Sequence, residues 1–127
     1  MSQRKPVVLI AEDDPSSAEM LQLLLRMQGW TTRTAGNAPE LLAAIDGGGC
    51  DAVLMDLSMP GLSTEGLVRE VAARPHRPPV VVYSARLEGE IQEAAAQLRP
   101  SEGLQKPVAI DAIVAALGRA LRLPGAA

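Results

Sequence analysis

Four polar sites punctuate an otherwise aliphatic chain: Glu12-Asp13-Asp14, Asp56, Ser84 and Lys106. Each stands at the end of an apolar or strand-like run, after Val7 to Ala11, Ala52 to Met55, Val80 to Tyr83 and Gly103 to Gln105. Three carboxylates gathered about 4 Å apart would repel by roughly 4 kcal/mol per pair at an effective dielectric of about 20, together comparable to the stability of a whole domain. Such a cluster needs positive charge among its oxygens. Lys106 supplies one unit, and an oxygen-only ligand set calls for a hard divalent cation. Mg²⁺ suits it best, because that ion accepts few protein ligands and keeps several waters. An aspartate beside Mg²⁺, a lysine and a hydroxyl is equipped as a nucleophile toward phosphorus. The cation and Lys106 would neutralise charge on a transferring phosphoryl group, and the Ser84 hydroxyl would donate to one of its oxygens.

Bringing these residues together is the task of the elements between them. Val7-Val8-Leu9-Ile10-Ala11 has no polar alternation, the pattern of a parallel strand covered on both faces. Asp14-Pro15 then opens a helix, with Asp14 as N-cap and Ala18, Leu21, Leu24 and Leu25 on one face up to Gly29. A more polar second strand over Trp30 to Ala35 precedes a short helix from Asn37 to Ile45, closed by Gly47-Gly48-Gly49. The third strand lies within Asp51 to Asp56, and Met59-Pro60-Gly61 turns the chain into a helix with Leu67, Val68 and Val71 inward. Pro79 to Ser84 is the fourth strand. Leu87, Ile91, Ala94, Ala95 and Leu98 fall at helical spacing behind it, a fifth strand is expected near Gly103-Leu104-Gln105, and Ile110, Ile113, Val114, Leu117 and Leu121 line a last helix.

Strict alternation of five strands and five helices predicts one doubly wound α/β domain, with a core over residues 5 to 122 of a single domain spanning 1–127 and no output domain. In such a sheet ligands bind beyond the carboxyl ends of the strands, where strand order reverses. That is where the acids, Ser84 and Lys106 would meet. A net charge of −3 argues against direct attraction to nucleic acid or an anionic membrane. No apolar run approaches the roughly 20 residues of a membrane span. Arg4 and Lys5 precede too short an apolar run for a secretory signal, and the lone Cys50 suits a reducing cytoplasm.

With these residues in hand, the chain resembles a receiver domain of the two-component response regulators. Glu12-Asp13 resemble that family's acid pair, and Asp56 in Leu54-Met55-Asp56-Leu57-Ser58-Met59-Pro60-Gly61 its phospho-accepting aspartate. Ser84-Ala85 match its hydroxyl position and Lys106-Pro107 its lysine and following proline. The resemblance implies a flavodoxin-like sheet of order 2-1-3-4-5 and a cis bond before Pro107. It also implies direct coordination of Mg²⁺ by Asp13 and Asp56, a backbone carbonyl ligand from Ser58, and action of Glu12 mostly through water. The implied activity is transfer of a phosphoryl group to Asp56 from a phosphohistidine on a sensor histidine kinase or phosphotransfer protein, followed by hydrolysis. Ser58 and Arg86 would tune that hydrolysis. Phosphorylation would then switch affinity for a downstream protein target.

The chain also departs from the pattern. Where the family carries an aromatic residue three positions before the lysine, a ring that moves with the hydroxyl residue, this chain has Gly103, so a Ser84-linked switch would need another readout. Val108 replaces a common Phe and Ala109 an acidic helix cap. A phosphorylation-independent adaptor of the same fold is the alternative. An aspartyl-phosphate hydrolase is weaker, since Ser58 stands where a general acid two residues beyond Asp56 would be needed. Outside the site, plainer roles suffice: Asp14 as a cap, His76 in a solvated loop, Cys50 as a packing residue, Trp30 over the core edge, and Gly47 to Gly49 as loop.

Overall fold

A computed structural model describes residues 4–122, so the ends of the expected domain, 1–3 and 123–127, lie outside the described residues. Ten elements alternate without exception: β1 Val7–Ala11, α1 Pro15–Arg26, β2 Thr31–Ala35, α2 Ala38–Gly47, β3 Ala52–Met55, α3 Thr64–Ala72, β4 Val80–Ser84, α4 Glu88–Gln97, β5 Ser101–Gln105 and α5 Ile110–Leu121. The strands form one parallel sheet of order β2-β1-β3-β4-β5. The chain therefore reverses its direction of growth between β1 and β3, and the two strand ends at that point carry Glu12 and Asp56.

The period-2 alternation of the strands divides the apolar residues between two cores. Leu9, Ala11, Val53, Met55, Val80 and Val82 pack under α2, α3 and α4. Val8, Ile10, Ala52, Leu54, Val81 and Tyr83 face α1 and α5. Both sets are buried, and each large aliphatic side chain so covered stabilises the fold by about 1.5–3 kcal/mol. This two-sided burial explains why the central strands read as unbroken apolar runs, whereas edge strand β2 keeps Thr31, Arg33 and Thr34 exposed.

Helix starts follow local chemistry where a capping residue exists. Asp14 accepts from the Ser17 amide at 3.0 Å, and Asn37 from the Glu40 amide at 2.9 Å. Ser63 accepts from the Gly66 amide at 3.0 Å. Helices α4 and α5 have Leu87 and Ala109 at their N-cap positions, neither offering a side-chain cap. Gly61 sits at φ +106°, and a Cβ there would meet Pro39 Cδ at 2.9 Å, so the loop after β3 can approach α2 only as glycine.

The structure corrects the sequence reading at three places. Leu87, expected on the core face of the fourth helix, is its N-cap and is 71% exposed, because the helix begins one residue later and turns it to solvent. Strand β5 begins at Ser101, two residues before the expected segment, since pairing with β4 recruits polar residues that alone have little strand character. Arg77, in the loop expected to be solvated, is buried, its guanidinium donating to Ala72 O at 3.1 Å and Arg99 O at 2.7 Å. Its neighbour His76 is exposed as expected. Cys50 and Trp30 pack partly buried on opposite cores. The bond before Pro107 is cis as the resemblance implied, and so is that before Pro100.

Candidate functional site

The site is built by letting the sheet's hydrogen bonding run one residue past each strand. The Glu12 amide donates to Ala35 O at 3.0 Å, extending the β1–β2 ladder, and the Asp56 amide donates to Ala11 O at 3.1 Å, extending β1–β3. The Lys106 amide donates to Ser84 O at 2.7 Å, doing the same between β4 and β5. Backbone pairing, not loop sequence, thus delivers these side chains to one rim. Glu12, Asp56 and Ser84 are 5%, 6% and 0% exposed, and Asp13 faces solvent.

Carboxylate oxygens of Glu12, Asp13 and Asp56 lie within 4.8 Å of one another. The Lys106 ammonium stands 2.9 Å from Asp56 Oδ2 and 3.6 Å from Glu12 Oε1. Asp56 Oδ1 accepts from the Ser58 amide at 3.0 Å, so both oxygens of the buried acid are oriented. Burial alone pushes the Glu12 carboxyl up, but hydrogen bonds from the Tyr83 hydroxyl and the Asp14 amide, with the Lys106 charge, hold it below the ordinary range. Burial is the largest single influence on Lys106 and opposes its charged form, but the hydrogen bonds and negative charges of Asp56 and Glu12 together outweigh it and hold the ammonium above its ordinary range. Asp13 is pushed up, first by desolvation and then by Glu12 and Asp56 nearby.

The donor set fits Mg²⁺. It is oxygen-only, three carboxylates converge from two adjacent strand ends, and one of them faces solvent, leaving room for retained waters. A single ammonium cannot balance three negative charges at this spacing.

Ser84 ends β4 at the same rim, and its hydroxyl accepts from the Arg86 amide at 3.2 Å. Ser58 is exposed beside Asp56, and the Arg86 guanidinium turns along α4 to Glu90 at 3.3 Å. Gly103 lies mid-strand in β5, beside Val82. The space over it is taken by α4: a Cβ would meet Ile91 Cγ2 at 2.6 Å, and Gln92 donates to Gly103 O at 3.3 Å. Asp14 stays outside the carboxylate cluster as a helix cap. Sequence reasoning missed Tyr83, whose hydroxyl donates to Glu12 Oε1 at 2.5 Å while its ring lies under the Lys106 ammonium, 4.4 Å from the centroid. Only its place beside Ser84 in a strand ending at the rim hinted at this.

A doubly wound sheet of this order, with an acid cluster and a lysine at its switch point, defines the flavodoxin-like fold of CheY-like signalling domains. The receiver domain of a Francisella response regulator has this fold, with a TM-score of 0.82 and 24% identity over 93% of this chain and 98% of that one. A CheY-like receiver domain from Methylobacillus flagellatus matches at 28% identity and a TM-score of 0.78, covering 92% and 99%. The family model described as response regulator receiver domain matches residues 8–118, and the chain belongs to that family. Among curated relatives, the sensory transduction protein RegX3 of Mycolicibacterium smegmatis is 34% identical over 116 residues, 91% of this chain and 50% of its own length. The chain spans about half the length of such relatives. Among the described residues no helix is long and apolar enough to cross a membrane.

Proposed function

We propose that this receiver domain accepts a phosphoryl group on Asp56 from a phosphohistidine of a partner sensor kinase or phosphotransfer protein, and that the modified form binds a downstream protein differently. The observation that carries this reading is the 2.9 Å contact of Lys106 with an Asp56 carboxylate whose oxygens share a 4.8 Å cluster with Glu12 and Asp13.

An Asp56 oxygen attacks phosphorus, forming the O–P bond as the P–N bond of the phosphohistidine breaks, and the leaving imidazole keeps the electron pair. Lys106 is within reach of the charge that collects on the phosphoryl oxygens, and Ser84 is the hydroxyl available to donate to one of them. The Ser58 amide keeps the acceptor carboxylate oriented. Glu12, Asp13, Asp56 and the Ser58 carbonyl would hold Mg²⁺, which when bound offsets negative charge on acceptor and phosphoryl group alike. Water later returns Asp56 to the free acid, and Ser58 and Arg86, flanking the rim, set its access. The setting proposed is the cytoplasm, which suits the unpaired Cys50 thiol. Direct nucleic-acid contact by this domain is not part of the reading, given its charge of −3.

Incubation with Mg²⁺ and a small phosphoramidate or acyl-phosphate donor, followed by intact mass measurement, tests the chemistry. The expected result is one added phosphoryl group on wild type and none on Asp56→Asn. No gain by wild type, or equal gain by both, would refute it. A second reading, a phosphorylation-independent adaptor, is favoured by the filling of the space over Gly103 with Ile91. An Asp56→Asn strain with an unaltered phenotype would support that alternative.

A further inference from the structure

Lys106 lies between two carboxylates, 2.9 Å from Asp56 Oδ2 and 3.6 Å from Glu12 Oε1. The two side chains are similarly buried, 9% and 4% exposed, so desolvation alone gives the ammonium little reason to prefer one. What differs is prior occupancy. Glu12 Oε2 accepts from the Asp14 amide at 3.1 Å, and Oε1 accepts from the Tyr83 hydroxyl at 2.5 Å. Both oxygens of Glu12 are therefore engaged by donors fixed in the fold. On Asp56 the Ser58 amide engages Oδ1 alone, and Oδ2 is left to Lys106.

Tyr83 is held firmly for such a task. It belongs to β4, is 4% exposed and packs in the core under α1 and α5, so its hydroxyl cannot swing from Glu12 without opening that core. Its ring face lies 4.4 Å from the Lys106 nitrogen, close enough for a cation–π contact that restrains the ammonium from a second direction. Burial, and after it the hydrogen bond to Glu12 and then its charge, push the phenol well above its ordinary range, so it remains a donor.

We propose that Tyr83 is a positioning residue for the phosphoryl-transfer site: by occupying Glu12 Oε1 and seating the Lys106 ammonium on its ring, it keeps Lys106 on Asp56. This inference rests on the reading of Asp56 as phosphoryl acceptor for its consequence, though not for its geometry. Tyr83→Phe isolates the hydroxyl, since it retains the ring, its burial and the cation–π contact. Tyr83→Leu removes both restraints.

The direct test uses the metal-free protein with isotope-labelled lysine side chains, followed by NMR, with backbone amide spectra confirming that each variant folds. In wild type, Asp56→Asn should displace the Lys106 Nζ signal strongly and Glu12→Gln weakly. In the Tyr83→Phe background that order should reverse, because the freed Glu12 carboxylate captures the ammonium. The second test is the rate of phosphorylation by a small phosphodonor at saturating Mg²⁺. Tyr83→Phe should slow it by roughly fivefold, the worth of one hydrogen bond.

An unreversed order of Lys106 displacements, or a Tyr83→Phe rate equal to that of wild type, overturns the proposal. If the Lys106 signals reverse but wild type gains no phosphoryl group, the positioning stands and the Asp56 reading falls. If wild type is phosphorylated and the signals do not reverse, Tyr83 is only a core residue.

Discussion

Within the carboxylate cluster Asp13 is the acid that faces solvent; its carboxyl is pushed up first by partial desolvation and then by Glu12, and Asp56 adds repulsion. A carboxyl raised in the folded state binds a proton more readily there than in the unfolded chain, so its charge costs stability above its pKa and the loss is recovered as pH falls. Asp13→Asn is therefore expected to raise metal-free stability at neutral pH by about 0.5–1 kcal/mol, in the range of exposed charge interactions. It should also abolish stabilisation by Mg²⁺, with both effects read by urea unfolding with and without the ion. Glu12, Asp13, Asp56 and Lys106 were legible in the sequence because each directly follows a segment whose composition or position marked it as a strand, and parallel sheets gather their carboxyl ends at one rim. Tyr83 was not, because its partners are 71 and 23 positions away on other strand ends and nothing local records that reach.

Among the elements, the junction of α4 with β5 is the least forgiving. Ile91 fills the volume over Gly103 so closely that a Cβ would stand 2.6 Å from its Cγ2, with Gln92 Nε2 at 3.2 Å. Gly103→Ala should therefore force α4 off the strand and cost about 1–3 kcal/mol, as overpacking does. Urea unfolding measures the loss, and an unchanged midpoint would mean that the helix yields freely. Ser63→Ala should cost about 1 kcal/mol through its lost cap on α3, a smaller and purely local effect by the same assay. The nature and order of the first four strands and of the five helices could be read from apolar runs, helical spacing and turn or capping residues, and β5 was placed by the alternation itself ahead of Lys106-Pro107. The length of β5 could not, because Ser101-Glu102 become strand only through pairing with Val80 and Val81, a tertiary cause that overrides weak local preference. Leu87 was misassigned for a related reason, since apolar spacing alone does not say at which residue a helix starts.

For the molecule as a whole, the acid rim makes stability depend on solution conditions. An ion that binds only the folded state adds about 2.7 kcal/mol at 100 times its dissociation constant, so the thermal midpoint should climb with Mg²⁺ concentration. A second dependence lies near the other pole. The Asp51 carboxylate is held below its ordinary range by hydrogen bonds from Arg4 at 2.9 Å, against the opposing effect of burial, and it also accepts from the Val7 amide at 2.7 Å. A carboxyl lowered in the folded state contributes stability that is complete above its unfolded pKa and fades as pH falls through the folded value. Wild type should thus exceed Asp51→Asn in urea midpoint at pH 7, with the gap narrowing below about pH 4.

Arg77 has an effect out of proportion to its place in a surface turn. One guanidinium grips the carbonyls of Ala72 and Arg99, and thereby closes the β4-α4 stretch, from the last residue of α3 to the approach to β5, into a ring with a noncovalent hasp. Replacing it with methionine keeps bulk but strands two acceptors, each worth about 1–3 kcal/mol when left unsatisfied. Amide exchange after such a change should quicken together at the end of α3 and the start of β5, segments far apart in the chain, while β1 keeps its protection.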